Sequence, residues 1–188
     1  MRIVGGTFRG KKLVLPEDNR VRPTADRTRE ALFNILGHGS RYRTDNGPLP
    51  MGARVVDVFA GTGALGIEAL SRGAAHVTFI DNNAQSLKIV QKNITRIKAQ
   101  RSADILMRNG TQPGPASNPA DLILMDPPYN QGLAEPSLVA LLGGDWIKDE
   151  TICVVELAAK ETFSIPDGLQ ILNERRYGAA RLIFIATC

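Results

Sequence analysis

From Arg54 onward the chain alternates short apolar runs with amphipathic segments, and this rhythm limits the possible folds more than any other feature. Residues 55–59 read as a buried strand, 64–71 as a short helix stopped at Gly73, and 76–81 as a second strand. The next helix places Leu87, Val90, Ile94 and Ile97 on one face and turns Lys88, Lys92 and Arg96 away. A third strand covers 103–107, a Pro/Gly/Ser loop covers 112–119, and Leu122-Ile123-Leu124-Met125 forms a fourth strand ending at Asp126. Residues 136–142 predict a helix and 152–157 a fifth strand, while 169–176 and 181–186 flank Gly178 as a closing antiparallel hairpin. Alternating strands and helices demand a parallel sheet with right-handed crossovers. The expected class is therefore α/β, a mostly parallel seven-stranded sheet with a C-terminal antiparallel hairpin.

The first 52 residues follow no such rhythm. Ile3 to Leu15 predicts two short strands around Gly5-Gly6 and Arg9-Gly10. Pro23-Thr24 opens a helix with Thr24 as cap, Ala31, Leu32, Ile35 and Leu36 as its apolar face and Gly37 as its stop. Residues 38–52 read as a loop. Residues 1–43 are taken as a small β-hairpin/helix extension and 44–188 as the main domain. Charge marks the same division. Residues 1–43 hold ten Arg and Lys against four acids, a net +6, whereas the whole chain of 188 residues is only +4. A basic segment beside a near-neutral body predicts a polyanionic partner. Lys11, Lys12, Arg22, Arg27 and Arg29 are the candidate phosphate contacts.

Other classes are disfavoured. No apolar run approaches the roughly 20 residues of a membrane span, and Met1 to Gly6 carries no signal-peptide core. Cys153 and Cys188 have neither metal-ligand spacing nor a disulfide framework, and His38 and His76 are the only histidines. A cytoplasmic, monomeric protein without a metal centre is expected.

The first strand runs into Asp57-Val58-Phe59-Ala60-Gly61-Thr62-Gly63-Ala64-Leu65-Gly66. Gly61, Gly63 and Gly66 satisfy G-x-G-x-x-G between a strand and a helix, which makes the sheet Rossmann-like. Glycines of this kind let the backbone turn tightly and approach a ligand, whether a dinucleotide or S-adenosyl-L-methionine. Asp57 favours the second. A carboxylate repels a pyrophosphate and attracts an ammonium or sulfonium. Asp81 ends the second strand, 18 residues after Gly63, where an acid accepts from ribose hydroxyls. Candidate cofactor contacts are Asp57, Phe59, Ala60, Gly61, Thr62, Gly63, Asp81, Asn82, Asn109 and Asp126, with Asn109 assigned to the adenine edge.

The fourth strand ends in Asp126-Pro127-Pro128-Tyr129. Proline fixes φ and offers no N–H, and it pushes the preceding residue to extended geometry. The turn thus presents a carboxylate, nearby carbonyls and an aromatic ring. Such a set suits the exocyclic amine of a flat nucleobase. Asp126 and the Pro127 carbonyl are candidate acceptors, Pro128 fixes the turn, and Tyr129 is the stacking ring. Ligands of open α/β sheets bind beyond the carboxyl ends of the strands, so both motifs should face one crevice.

The combination of D-x-x-x-G-x-G, an acid after the second strand and D-P-P-Y resembles the amino methyltransferases. The resemblance narrows with Arg2-Ile3-Val4-Gly5-Gly6-Thr7-Phe8-Arg9-Gly10-Lys11-Lys12-Leu13, Arg22-Pro23-Thr24, Arg29-Glu30-Ala31-Leu32-Phe33-Asn34-Ile35-Leu36 and residues 57–73. Together these blocks are similar to the bacterial RsmD family. That resemblance implies a class I methyltransferase fold and S-adenosyl-L-methionine as cofactor. It also implies methylation of guanine N2 in small-subunit (16S) ribosomal RNA, free or in an assembling 30S subunit. A DNA or RNA adenine-N6 methyltransferase is the alternative. An NAD(P) oxidoreductase would leave D-P-P-Y unexplained, and a non-catalytic RNA-binding module, which the basic arm also suits, would bind RNA without cofactor-dependent methyl transfer.

Overall fold

A computed structural model of the chain describes residues 1–16 and 25–188. Its elements run α1 (Ala25–His38), β1 (Arg43–Thr44), β2 (Gly47–Pro48), β3 (Arg54–Val58), α2 (Ala64–Ser71), β4 (His76–Asp81) and α3 (Ala84–Ile97). There follow a 3-10 turn (Gln100–Ser102), β5 (Ala103–Met107), β6 (Ala120–Met125), α4 (Ala134–Gly143), β7 (Ile147–Ala158), β8 (Leu169–Tyr177) and β9 (Ala180–Thr187). Seven strands form one sheet in the order β5-β4-β3-β6-β7-β9-β8. The first five are mutually parallel, and β9 pairs antiparallel with both β7 and β8. This is the expected α/β sheet with its closing hairpin.

The central strands are buried on both sides, as parallel strands covered by crossovers must be. Val55, Leu122, Leu124 and Val154 share one core with α2, α3 and α1, while Val56, Val58, Ile123 and Val155 share another with α4. Helix α3 shows how sequence sets this up. Its Leu87, Val90, Ile94 and Ile97 are buried, and the Asn83 side chain caps its start by accepting from Gln85 N and Ser86 N. Lys98, in the left-handed region, ends it. At Gly66 a Cβ would lie 2.4 Å from the Phe79 ring, so only glycine lets α2 close onto β4. Among the described residues no helix is long and apolar enough to cross a membrane.

Three local expectations are corrected. The arm forms a hairpin-like pairing shorter than two full strands: an antiparallel bridge joins Arg2 to Lys12, flanked by Ile3 N–H donating to Lys11 O and Leu13 N–H donating to Met1 O. Gly6 and Gly10 have positive φ, which interrupts strand geometry, and several amides between the paired ends find partners on α2. Val4 N and Gly5 N donate to the Glu68 carboxylate, Phe8 N to Ser71 Oγ and Thr7 N to Ser71 O. Helix α1 continues through Gly37 to His38. The segment read as loop contains the two-residue ladder β1–β2. The Thr24 cap lies outside the described residues.

Glu68 is wholly buried and is the anchor of the arm. Besides the two amides it pairs with Arg72 Nε at 2.9 Å and with Arg29 Nε at 3.4 Å. Arg29 in turn donates to Arg2 O and pairs with Asp26. Removing one partner of a buried ion pair costs about 3–5 kcal/mol. Glu68→Ala should therefore lower unfolding free energy by about that amount, read from urea titration, with Glu68→Gln between it and the parent. A midpoint equal to the parent's in both variants would refute the anchoring role.

Candidate active site

The carboxyl ends of β3, β4, β6 and β7 open into one cavity of about 560 Å³. Its described lining includes Asp57, Phe59, Ala60, Gly61, Thr62, Asp81, Asn82, Asp126, Pro127, Pro128 and Tyr129, so the glycine loop and the D-P-P-Y turn do face the same space. Two of the candidates are not in that lining. Gly63 is buried as the residue before α2, with φ 77, where its absent side chain leaves room for Phe79, Val90 and Ile67. Asn109 accepts through Oδ1 from Thr111 N and Thr111 Oγ1, which closes a turn. That satisfied Asx turn is what an asparagine after a strand often makes, and it leaves the expected adenine contact at Asn109 unsupported.

The loop between β3 and α2 is held by carboxylates. Asp81 Oδ2 accepts from Gly61 N at 2.8 Å and Oδ1 from Asn83 N at 2.8 Å, so this acid fixes both the glycine loop and the start of α3. Phe59 and Gly61 have φ of 63° and 55°, a strained non-glycine position beside a permissive one. Asp57 is 1% exposed, and its Oδ2 accepts from Gly66 N at 2.8 Å. It therefore secures the first turn of α2 while also lining the cavity. Burial raises its carboxyl well above the ordinary value of 3.8. The Gly66 amide opposes that shift, and the nearby charges of Asp126 and Asp81 add to it.

On the other side of the cavity, β6 and β7 run in register, Met125 beside Val155, so Asp126 and Glu156 are neighbours at the strand ends. The Tyr129 hydroxyl donates to Glu156 Oε1 at 2.7 Å, which fixes the ring across the turn. The turn then leaves through Asn130 at φ 59, whose N–H donates to Glu161 Oε2. Glu156 was not among the sequence candidates. Its only signal is a charged residue inside the apolar run Val154-Val155-Glu156-Leu157.

Asn93 was missed in the same way. This wholly buried residue of α3 accepts from Val14 N at 2.7 Å and donates to Val14 O and Thr62 O. It joins the arm to the glycine loop, and Met1 and Pro16 of the arm also line the cavity.

The basic candidates separate. Lys11, Lys12 and Arg27 are exposed, and Lys11 Nζ lies 4.9 Å from the Phe8 ring centre. Arg22 lies outside the described residues. Arg29 is corrected from a surface phosphate contact to an internal cation: it is 3% exposed and bound to Asp26, Glu68 and Arg2 O.

Four carboxylates, Asp57, Asp81, Asp126 and Glu156, and one buried guanidinium, Arg29, are the charged side chains among the described lining residues. Such a set attracts a cationic ligand and repels a pyrophosphate. The cavity volume suits a cofactor-sized molecule. The donor set therefore fits S-adenosyl-L-methionine and does not fit a dinucleotide. A glycine loop after the first long parallel strand, an acid closing the next strand and a closing antiparallel hairpin define the class I methyltransferase fold.

Within that class the chain belongs to the RsmD family, described as conserved hypothetical protein 95, which matches residues 1–186. The ribosomal RNA small subunit methyltransferase D of Escherichia coli is 36% identical over 156 residues, covering 83% of this chain and 74% of its own. The protein of the same name from Haemophilus influenzae is 32% identical over 187 residues, covering 95% and 89%. The solved structure of yhhF from Escherichia coli superposes with a TM-score of 0.82 at 33% identity, covering 100% of this chain and 97% of the other.

The buried Asp57 gives a pH test. Its folded pKa is raised above 3.8, so the native state holds the proton more tightly than the unfolded chain. The stability it contributes is complete below the unfolded value and is lost as pH rises through the raised one. Asp57→Asn keeps an oxygen for Gly66 N–H and cannot ionise. Its melting temperature relative to the parent should climb as pH rises from about 4 towards neutrality. Parallel melting curves against pH for the two proteins would exclude this account.

Proposed function

We propose that this protein transfers a methyl group from S-adenosyl-L-methionine to the exocyclic N2 of a guanine in small-subunit ribosomal RNA, free or within an assembling 30S subunit. The observation that carries the reading is that the glycine loop and the Asp126–Tyr129 turn open into one acidic cavity. The relatives named for small-subunit ribosomal RNA methylation support the substrate.

When bound, the cofactor supplies an electrophilic methyl group on a sulfonium. Asp57, Asp81 and the loop from Phe59 to Thr62 would hold it, and its cationic groups would favour the ionised form of the buried Asp57. The guanine N2 lone pair is delocalised into the ring and is a weak nucleophile. Asp126 and the Pro127 carbonyl accept from the amine N–H bonds and turn the lone pair towards the methyl. The Tyr129 ring, held by Glu156, stacks on the base and fixes its plane. The methylated nitrogen is strongly acidic, so its surplus proton passes to Asp126 or to water without a strong base. The target must be splayed from its stack for these contacts to form. Most of the acceleration is then positional.

Asp126→Ala should reduce tritiated-methyl transfer to small-subunit RNA roughly 100-fold or more, with S-adenosylmethionine affinity by calorimetry falling far less, because Asp57 and Asp81 remain. Retained turnover would sink the mechanism, and a product other than N2-methylguanosine would sink the substrate assignment. N6-methyladenosine would establish the adenine reading in its place. Tyr129 offers a graded check. Tyr129→Phe keeps the ring and should stay within a few-fold of parent activity, whereas Tyr129→Ala removes stacking worth about 1–3 kcal/mol per base. Equal activities for the two would rule out stacking.

A further inference from the structure

The tip of the closing hairpin carries the run Glu174-Arg175-Arg176-Tyr177-Gly178-Ala179-Ala180-Arg181. Its position follows from register. Ala180 of β9 pairs with Ala158, the last residue of β7, so the tip lies at the carboxyl edge of the sheet, where the cavity opens. Ala179 and Ala180 line that cavity. Glu156, Leu182 and Arg175 form one row across β7, β9 and β8. Cross-strand partners share a face, so Arg175 lies on the face of Glu156, two strand spacings or roughly 10 Å away.

The charges at the tip are sorted. Arg181 donates to Glu161 O and lies 3.6 Å from Glu174, which matches the one acid of the run with an inner cation. Arg176 is 67% exposed, with Glu174 only at the 4.0 Å limit. Arg175 is exposed, and its Nη1 donates to the Glu174 backbone oxygen. Tyr177 packs against the core and roots the tip.

We infer that the β8–β9 tip is a second RNA-binding element, with Arg175 and Arg176 taking phosphates of the nucleotides that flank the target base. The inference rests on the proposed RNA substrate. Charge complementarity selects the partner: Arg175 and Arg176 project from opposite faces of β8, so two exposed guanidiniums straddle the hairpin end beside the acidic pocket and suit a polyanion whose one base enters and whose backbone stays outside.

The test compares the parent, Arg175→Glu/Arg176→Glu, and Lys88→Glu/Lys92→Glu on the exposed face of α3, which carries the same change of charge. The probe is small-subunit ribosomal RNA, with binding measured over a salt series. The tip variant should bind at least tenfold more weakly, and its log–log salt slope should fall by about 1.4–1.8, the loss of two phosphate contacts. The α3 variant should stay within about threefold of the parent, since backbone contacts are local. Cofactor affinity by calorimetry should be equal in all three. Arg175→Gln/Arg176→Gln, which introduces no repulsion, should reproduce the fall in slope with a smaller loss of affinity. Parent-like binding by both tip variants, or equal losses for tip and α3 reversals, would overturn the inference. Failure of the parent to methylate both this RNA and assembling 30S subunits would overturn the proposed function instead, and the binding comparison would still report on the tip.

Discussion

A single buried carboxylate holds the two parts of this molecule together. Glu68 has no contact with water, yet it accepts two amides of the arm and faces two guanidiniums. Taking a carboxylate out of water costs several kcal/mol, and the site is tolerable only while its partners are present. Arg29 belongs to α1, Arg72 follows α2, and Val4 and Gly5 belong to the arm. The same charge therefore requires all three segments to close together over one face of the sheet. The apolar core agrees with it, because Ile3, Leu13, Leu32, Phe33 and Leu36 pack in one cluster with Val55, Leu122 and Phe184.

The parallel sheet then does for the cavity what Glu68 does for the arm. Strands in register bring Asp57, Asp81, Asp126 and Glu156 to one edge although they are spread over about a hundred residues of chain. Those acids have different local duties. Asp57 and Asp81 bind backbone amides of the glycine loop, and Glu156 sets the Tyr129 ring. An acidic crevice is built from groups whose positions are already fixed by hydrogen bonds, so little reorganisation is needed when a cationic ligand arrives.

Much of this was legible in the sequence because it obeys short-range rules. Strand and helix periods mark the sheet, prolines mark the turn after Asp126, and glycines mark the loop after Asp57. The unread parts depend on partners distant in sequence. Glu68 and Asn93 look like ordinary polar residues on amphipathic helices, and their partners at Val4, Gly5 and Val14 lie more than sixty residues away. Arg29 looked like one more surface cation because a charge count cannot see burial. The arm's ends pair as a short hairpin, Ile3 with Lys11 and Leu13 with Met1, but nothing local announces that Val4, Gly5, Thr7 and Phe8 donate to α2. Asn109 engages its carboxamide oxygen with Thr111, a local turn that the bare sequence does not separate from a ligand contact.

The carboxamide of Asn93 has one further consequence. It holds Val14 with both its oxygen and its nitrogen, and the same nitrogen also reaches Thr62 O in the glycine loop. If the arm lifts, the amide oxygen is left unpaired inside the protein, at a cost of about 1–3 kcal/mol. If the loop shifts, the nitrogen loses one of its two acceptors. Arm seating and loop shape thus share a common hinge pin. Whatever free energy one gains from the other is returned in equal measure, because linkage of this kind is reciprocal.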